Sequence, residues 1–196
     1  MKKMNKKFLL ASLVLATSVA SANAADINYY AGGKINYETF EFKDDSEASW
    51  SPIGLGLGGG AKYNITNEVF VGGEGYLNYA LTNPEDDEIK LKYGLSIEIN
   101  AIAGYNITEQ FNVYGLIGLV NSKPSFERTD EHYHESKTKS NISAQFGFGV
   151  GFNAAENIAV KAQYTLSNPN YKWDDEDGDS DKAKNNNISV AVNYVF

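Results

Sequence analysis

The sequence predicts an all-β chain: eight antiparallel strands closed, up-and-down, into a transmembrane β-barrel. Three observations lead there. Long segments alternate apolar and polar residues with period two, the polar faces are rich in glycine and charge, and short asparagine turns alternate with long polar loops. Composition agrees, with 13 Tyr, 10 Phe and 18 Gly against 2 Met in 196 residues.

The amino terminus reads as an export signal. Met1 to Lys7 is basic, Phe8 to Ala20 is mostly apolar, and Ala22-x-Ala24 presents small side chains to a peptidase. The apolar run is too short for a membrane span, which needs about 20 residues. Cleavage is expected after Ala24, giving a signal peptide at 1–24 and one barrel domain at 25–196. Removing that segment, with its four lysines and no acid, takes the formal charge from −8 to −12 over 172 residues. Such an acidic chain lacks the basic face a nucleic-acid binder needs. With no cysteine, disulfide scaffolds, thiolate zinc sites and cysteine nucleophiles are excluded.

Taken in order, the expected strands are 27–42, 53–63, 69–81, 89–105, 111–123, 142–152, 158–168 and 188–196. The fourth is the clearest. Its odd positions from Ile89 to Tyr105 are all apolar or aromatic, while Lys90, Lys92, Ser96, Glu98 and Asn100 occupy even ones. The fifth is the least regular, because Leu116 and Val120 fall on its polar face. Short turns are expected at Asn64-Ile65-Thr66-Asn67, Asn106-Ile107-Thr108-Glu109 and Asn153 to Asn157, where asparagine tolerates left-handed backbone. Longer loops are expected at 43–50, 82–88, 124–139 and 170–185. All four prolines lie in or beside these loops, as residues that cannot donate to a strand ladder should.

A soluble barrel would bury the bulky face. Here the other face carries glycine, serine and a few long polar chains, which suit a narrow bore, so Ile, Leu, Phe and Val are assigned to the outside. That arrangement is stable only in lipid, and closure removes the strand edges that lipid cannot satisfy. Aromatic residues are expected to girdle both interfaces: Tyr29, Tyr30, Tyr63, Tyr105, Phe111, Phe152, Tyr194 and Phe196 at the short-turn end, and Tyr37, Trp50, Tyr79, Tyr93, Tyr171 and Trp173 at the loop end.

The carboxy terminus, Tyr194-x-Phe196 on an alternating strand, resembles the terminal signal of Gram-negative outer-membrane barrels. The region from Ala25 to Phe196 resembles the small eight-stranded barrels: the transmembrane part of outer membrane protein A, the OmpX and Ail group, and the opacity-type surface proteins. No counterpart of the peptidoglycan-binding domain of outer membrane protein A is expected. The resemblance implies location in the cell outer membrane among its lipids and lipopolysaccharide, insertion by the barrel assembly machinery, and contact with host surface proteins. It implies no enzymatic activity and no nucleic-acid partner. A narrow porin-like channel and a lipid A-modifying enzyme are the alternatives.

By alternation Lys34, Glu38, Lys62, Glu74, Glu98 and Lys161 point into the bore. A hairpin centred near residue 86 would set Glu74 opposite Glu98. Two carboxylates confined together need a cation, so Lys34, Lys62 or Lys161 is expected beside them. Such a cluster reads either as a structural plug or as a gate. The four loops hold most of the acid. The last contains Asp175-x-Asp177-Gly178-Asp179-x-Asp181, alternating carboxylates of the kind that ligate calcium, without the spacing of an EF-hand. A loop-bound Ca2+ is therefore the one cofactor considered. His132 and His134 offer two imidazoles with no third ligand fixed by a rigid element. His134-x-Ser136 resembles the pair of lipid A deacylase barrels, where it lies on the wall beside an acid; here it falls in an expected loop.

Overall fold

The computed structural model describes residues 27–42, 49–82, 85–86, 89–122, 124–130, 133–138, 141–168, 170–172 and 180–196. The expected signal peptide therefore lies outside the described residues.

In chain order the strands are β1 (Ile27–Phe42), β2 (Ser49–Trp50), β3 (Ile53–Asn64), β4 (Val69–Ala80), β5 (Glu85–Asp86), β6 (Ile89–Tyr93), β7 (Leu95–Asn106), β8 (Phe111–Ser122), β9 (Pro124–Asp130), β10 (Tyr133–Thr138), β11 (Asn141–Ala155), β12 (Ile158–Ser167), β13 (Asn170–Lys172) and β14 (Ser180–Val195). Eight of them form the barrel wall in the order β14-β12-β11-β8-β7-β4-β3-β1. β14 then pairs antiparallel with β1, from Tyr30↔Val195 to Phe42↔Ala183, and closes the ring. Phe196 N bonds Tyr29 O at 2.9 Å, so the last residue is pinned beside the first strand.

The alternation faces outward as expected. Leu57 is 73% exposed and Ile99 64%, while Lys34 is 2% and Glu98 3%. A surface of that kind is stable in hydrocarbon and would be costly in water. The outward aromatics include Tyr63, Tyr105, Phe111 and Phe152 at the turn end, and Tyr37 and Tyr79 at the loop end. Tyr30 departs from the expected girdle. It is buried in the bore, because it shares the even parity of Lys34 on β1; nearness to the turn was the weaker guide.

The repeated short turns are one structure used twice. Thr66 Oγ1 accepts from the backbone N–H of Glu68 and Val69 at 3.2 and 2.9 Å. Thr108 Oγ1 accepts from Gln110 and Phe111 at 3.2 and 3.0 Å. The hydroxyl supplies the local backbone partner that such turns need. Strand-end asparagines do something the sequence reading did not anticipate. Asn106 Nδ2 donates to Asn67 O at 3.0 Å and Asn153 Nδ2 to Glu109 O at 2.9 Å. Each clamps the turn of the preceding hairpin, so the rim is laced from turn to turn.

Three expectations are corrected at the loop end. The segment Ile89 to Tyr105 is not one strand: it divides at Gly94, and β6 leaves the barrel. The reason lies next door. β4 stops at Ala80, with Tyr79 opposite Leu95, so above Leu95 the wall has lost a neighbour. β6 pairs instead with β9 and β5. Residues 124–139 are not a plain loop but the hairpin β9–β10. Pro124 opens β9, a position where its missing N–H is tolerated. Together β10-β9-β6-β5 make a separate four-stranded sheet continuing from the β7–β8 pair. Finally, β14 begins at Ser180, eight residues before the expected start, and pairs with β13 there.

Candidate functional site in the bore

Glycine makes room for the interior. A Cβ at Gly58 would stand 2.1 Å from Gly75 O, and one at Gly149 would stand 2.4 Å from the Tyr114 ring. Large polar and aromatic side chains from neighbouring strands occupy that space, and they stack in layers along the bore.

The layer nearest the short turns is partly apolar. Phe70, Ile102, Tyr114 and Leu116 pack together. Leu116, which falls on the polar face of its segment, is thus part of a small internal core with Ile102 rather than an exception. Below them a cavity of about 290 Å³ opens toward the turns, lined by Asn28, Lys62, Asn64, Asn106, Asn112 and Asn193 among others.

Above it stands Glu74, nearly fully buried. It is ion-paired to Lys161. It also accepts from Tyr30 Oη at 3.0 Å, Gln163 Nε2 at 2.7 Å and Asn100 Nδ2 at 3.4 Å. The next layer is centred on Glu98, which accepts from Lys34 Nζ at 2.5 Å, Asn100 Nδ2 at 2.7 Å and Asn78 Nδ2 at 3.2 Å. Asn100 touches both carboxylates and is itself held through its Oδ1 by Gln145 Nε2 at 2.6 Å. Each lysine also lies over a ring, Lys34 over Tyr76 at 4.3 Å and Lys161 over Tyr30 at 4.4 Å. Each buried carboxylate is matched by an ammonium and by amide donors, which is the condition for burying charge.

The sequence-derived residues therefore divide. Lys34, Glu74, Glu98 and Lys161 meet in two stacked ion pairs. Glu38 stands apart at the loop end, accepting from Asn185 Nδ2 at 3.1 Å. Lys62 belongs to the turn-end cavity and bonds Asn106 Oδ1 at 2.9 Å. Glu74 and Glu98 are not directly opposite: the register is Glu74↔Asn100 and Tyr76↔Glu98. The register centres the connection between β4 and β7 on residue 87 rather than 86, and that two-residue offset in pairing gives each carboxylate its own lysine. Tyr30, Tyr76, Asn78, Gln145 and Gln163 were missed as partners. Parity with the charged residues of their own strands was the available signal.

Toward the loop end a space of about 10 Å³ lies beside Asn36, Glu38 and Asn78. The two ion-pair layers separate it from the turn-end cavity. Tyr194 and Phe196 lie exposed on the outer wall, their rings 5.2 Å apart. Asp175, Asp177 and Asp179 lie outside the described residues, as does His132; Asp181 and His134 are placed in β14 and β10 by backbone alone. Among the described residues no group of three His, Cys, Asp or Glu side chains is set to hold a metal.

Residues 8–196 match the family described as the outer membrane protein beta-barrel domain. The chain belongs to that family. This outer membrane β-barrel is accordingly a protein of the cell outer membrane. It is 28% identical over 171 residues to the attachment invasion locus protein of Yersinia pseudotuberculosis serotype I (strain IP32953), covering 84% of this chain and 88% of that protein. The crystal structure of Ail, the attachment invasion locus protein of Yersinia pestis, superposes with a TM-score of 0.57 at 23% identity, covering 85% of this chain and 98% of Ail. Neisserial surface protein A gives 0.56 at 16% identity, covering 86% and 97%. Both share the barrel fold.

Proposed function

We propose that this barrel is a surface anchor that presents its long loops to host molecules and performs no catalysis. The observation that carries the reading is the blockage across the bore. Two ion-pair layers occupy the interior, so the molecule's recognition surface is its loop end, where β5, β6, β9 and β10 continue outside the wall. The similar Yersinia protein is named for attachment and invasion. Ail of Yersinia pestis has also been crystallised with the heparin analogue sucrose octasulfate. In this chain acids outnumber bases in each of the four long loops. A basic face on a host protein is therefore the better electrostatic partner than a sulfated polysaccharide. Under the same reading the signal peptide is removed after Ala24. Tyr194 and Phe196 are read by the assembly machinery, lipopolysaccharide surrounds the outer face, and any calcium sits on Asp175, Asp177, Asp179 and Asp181.

Displaying the chain on a non-adherent Gram-negative strain and measuring attachment to host-cell monolayers tests the role. Full-length protein should raise attachment, and removal of the β9–β10 hairpin should abolish it while the barrel still migrates as a folded, heat-modifiable band. Equal attachment with and without that hairpin would overturn the reading. The porin-like alternative rests on the turn-end cavity. Stable openings of the wild-type protein in planar bilayers would favour it.

A further inference from the structure

Lys62 is the interior lysine that the ion pairs leave over. Among the described residues Lys34 is paired to Glu98, Lys161 to Glu74 and Lys184 to Glu41, while Lys62 has no carboxylate partner. Its Nζ bonds the neutral Asn106 Oδ1 and lies 4.0 Å over the Phe70 ring. It is partly buried in the wall of the cavity of about 290 Å³. An ammonium held off bulk water by a ring and one amide still has donor capacity to satisfy.

The surrounding wall supplies further donors. Asn28 stands directly across the register from Lys62, and Asn112 lines the same space. Asn193 also lines it and is 1% exposed. Gly151 holds the wall back at Asn112: a Cβ there would stand 2.6 Å from Asn112 Oδ1. Glu109 and the Glu74-paired Lys161 also line the space. An ammonium without a carboxylate partner, set among several amide side chains in a concave, semi-enclosed space, is the chemistry that receives an oxyanion.

We propose that the turn-end cavity is a binding site for a small oxyanion, a phosphate or carboxylate solute reaching it from the aqueous side of the short turns. Lys62 supplies the charge and Asn28, Asn112 and Asn193 supply donors. The barrel wall separates this cavity from lipid, so a lipid headgroup is not the ligand. The site is independent of the loops and goes beyond the surface role proposed above.

Inorganic phosphate titrated into the full barrel in zwitterionic micelles at constant ionic strength, followed by NMR, tests this. Saturable shifts are expected at Lys62, Asn28, Asn112 and the Asn193 side-chain amide. Lys62→Met should weaken binding about tenfold or more, the worth of one charge-assisted hydrogen bond, and Lys62→Arg should restore most of it. Asn112→Asp, nearly isosteric, should also weaken phosphate about tenfold by adding a carboxylate to the one Glu109 already brings to the cavity. It decides the matter if Lys62→Met fails to give a heat-modifiable band. Shifts that stay linear with phosphate, or saturable binding unchanged in Lys62→Met or Asn112→Asp, would overturn the site.

Discussion

Lys161 on β12 pairs with Glu74 on β4, the strand four places away in either direction around the eight-strand wall. The bond spans the bore at its full diameter. Gln163, also on β12, reaches the same carboxylate, so two inward positions of one strand grip the opposite wall. Lys34 on β1 reaches Glu98 on β7, three places away, in the same manner, so contacts across the bore add to the neighbour-to-neighbour ladders.

Breaking that pair on one side should be expensive. Glu74→Ala or Lys161→Met leaves the remaining charge buried, and about 3–5 kcal/mol of stability should be lost. The double variant Glu74→Met/Lys161→Met removes both charges and should recover most of the loss, since an apolar fill of similar volume is often as stable. Urea unfolding in lipid vesicles, read by tryptophan fluorescence, measures both; a double variant no better than either single one would contradict the pairing argument.

Conductance should follow the same layers. Wild-type barrel in planar bilayers should show no stable openings. Joint truncation of Lys34, Glu74, Glu98 and Lys161 to alanine empties both layers and should give a small, steady conductance. A silent quadruple variant that is nonetheless folded would show that the seal lies elsewhere.

Lipid should penalise charge on the outer wall by depth. Ile99→Arg should destabilise the barrel by about 2–4 kcal/mol if Ile99 stands at the membrane midplane, and Tyr63→Arg, beside a short turn, by about 0–1 kcal/mol. Equilibrium unfolding in vesicles gives the two values, and equal costs would argue against a membrane centred on the Ile99 row.

Glycine positions should separate by face. A Cβ at Gly149 meets the Tyr114 ring at 2.4 Å, whereas one at outward Gly115 meets nothing nearer than Gly147 O at 3.9 Å. Gly149→Ala should therefore cost about 1–3 kcal/mol by overpacking. Gly115→Ala should be neutral or slightly stabilising, because alanine reduces the freedom of the unfolded chain. Thermal shifts of the heat-modifiable band rank the two.

Phe196 should matter for assembly more than for the finished wall. Phe196→Ala removes a ring from a terminal residue whose backbone bond to Tyr29 O remains available. Refolding in vitro should change little, while the amount of assembled protein in cells should fall. Equal cellular amounts would remove the reading of Tyr194 and Phe196 as a recognition signal.

Alternation along single strands carried the architecture: eight wall segments, a bulky exterior and a polar bore were all readable, because each depends only on the parity of residues within one strand. Ile99 and Glu98 declare their faces by being one residue apart. Partnership inside the bore depends on register between strands, and a two-residue slip in one loop changes it. That is why Glu74 and Glu98 are expected face to face and instead take separate lysines. The end of β4 at Ala80, which sends β6 out of the wall, is likewise invisible in the regular alternation from Ile89 to Tyr105. Sequence by itself determined which side of each strand meets lipid; only closure of the cylinder decided which opposite residues meet, because strands four places apart share no local signal.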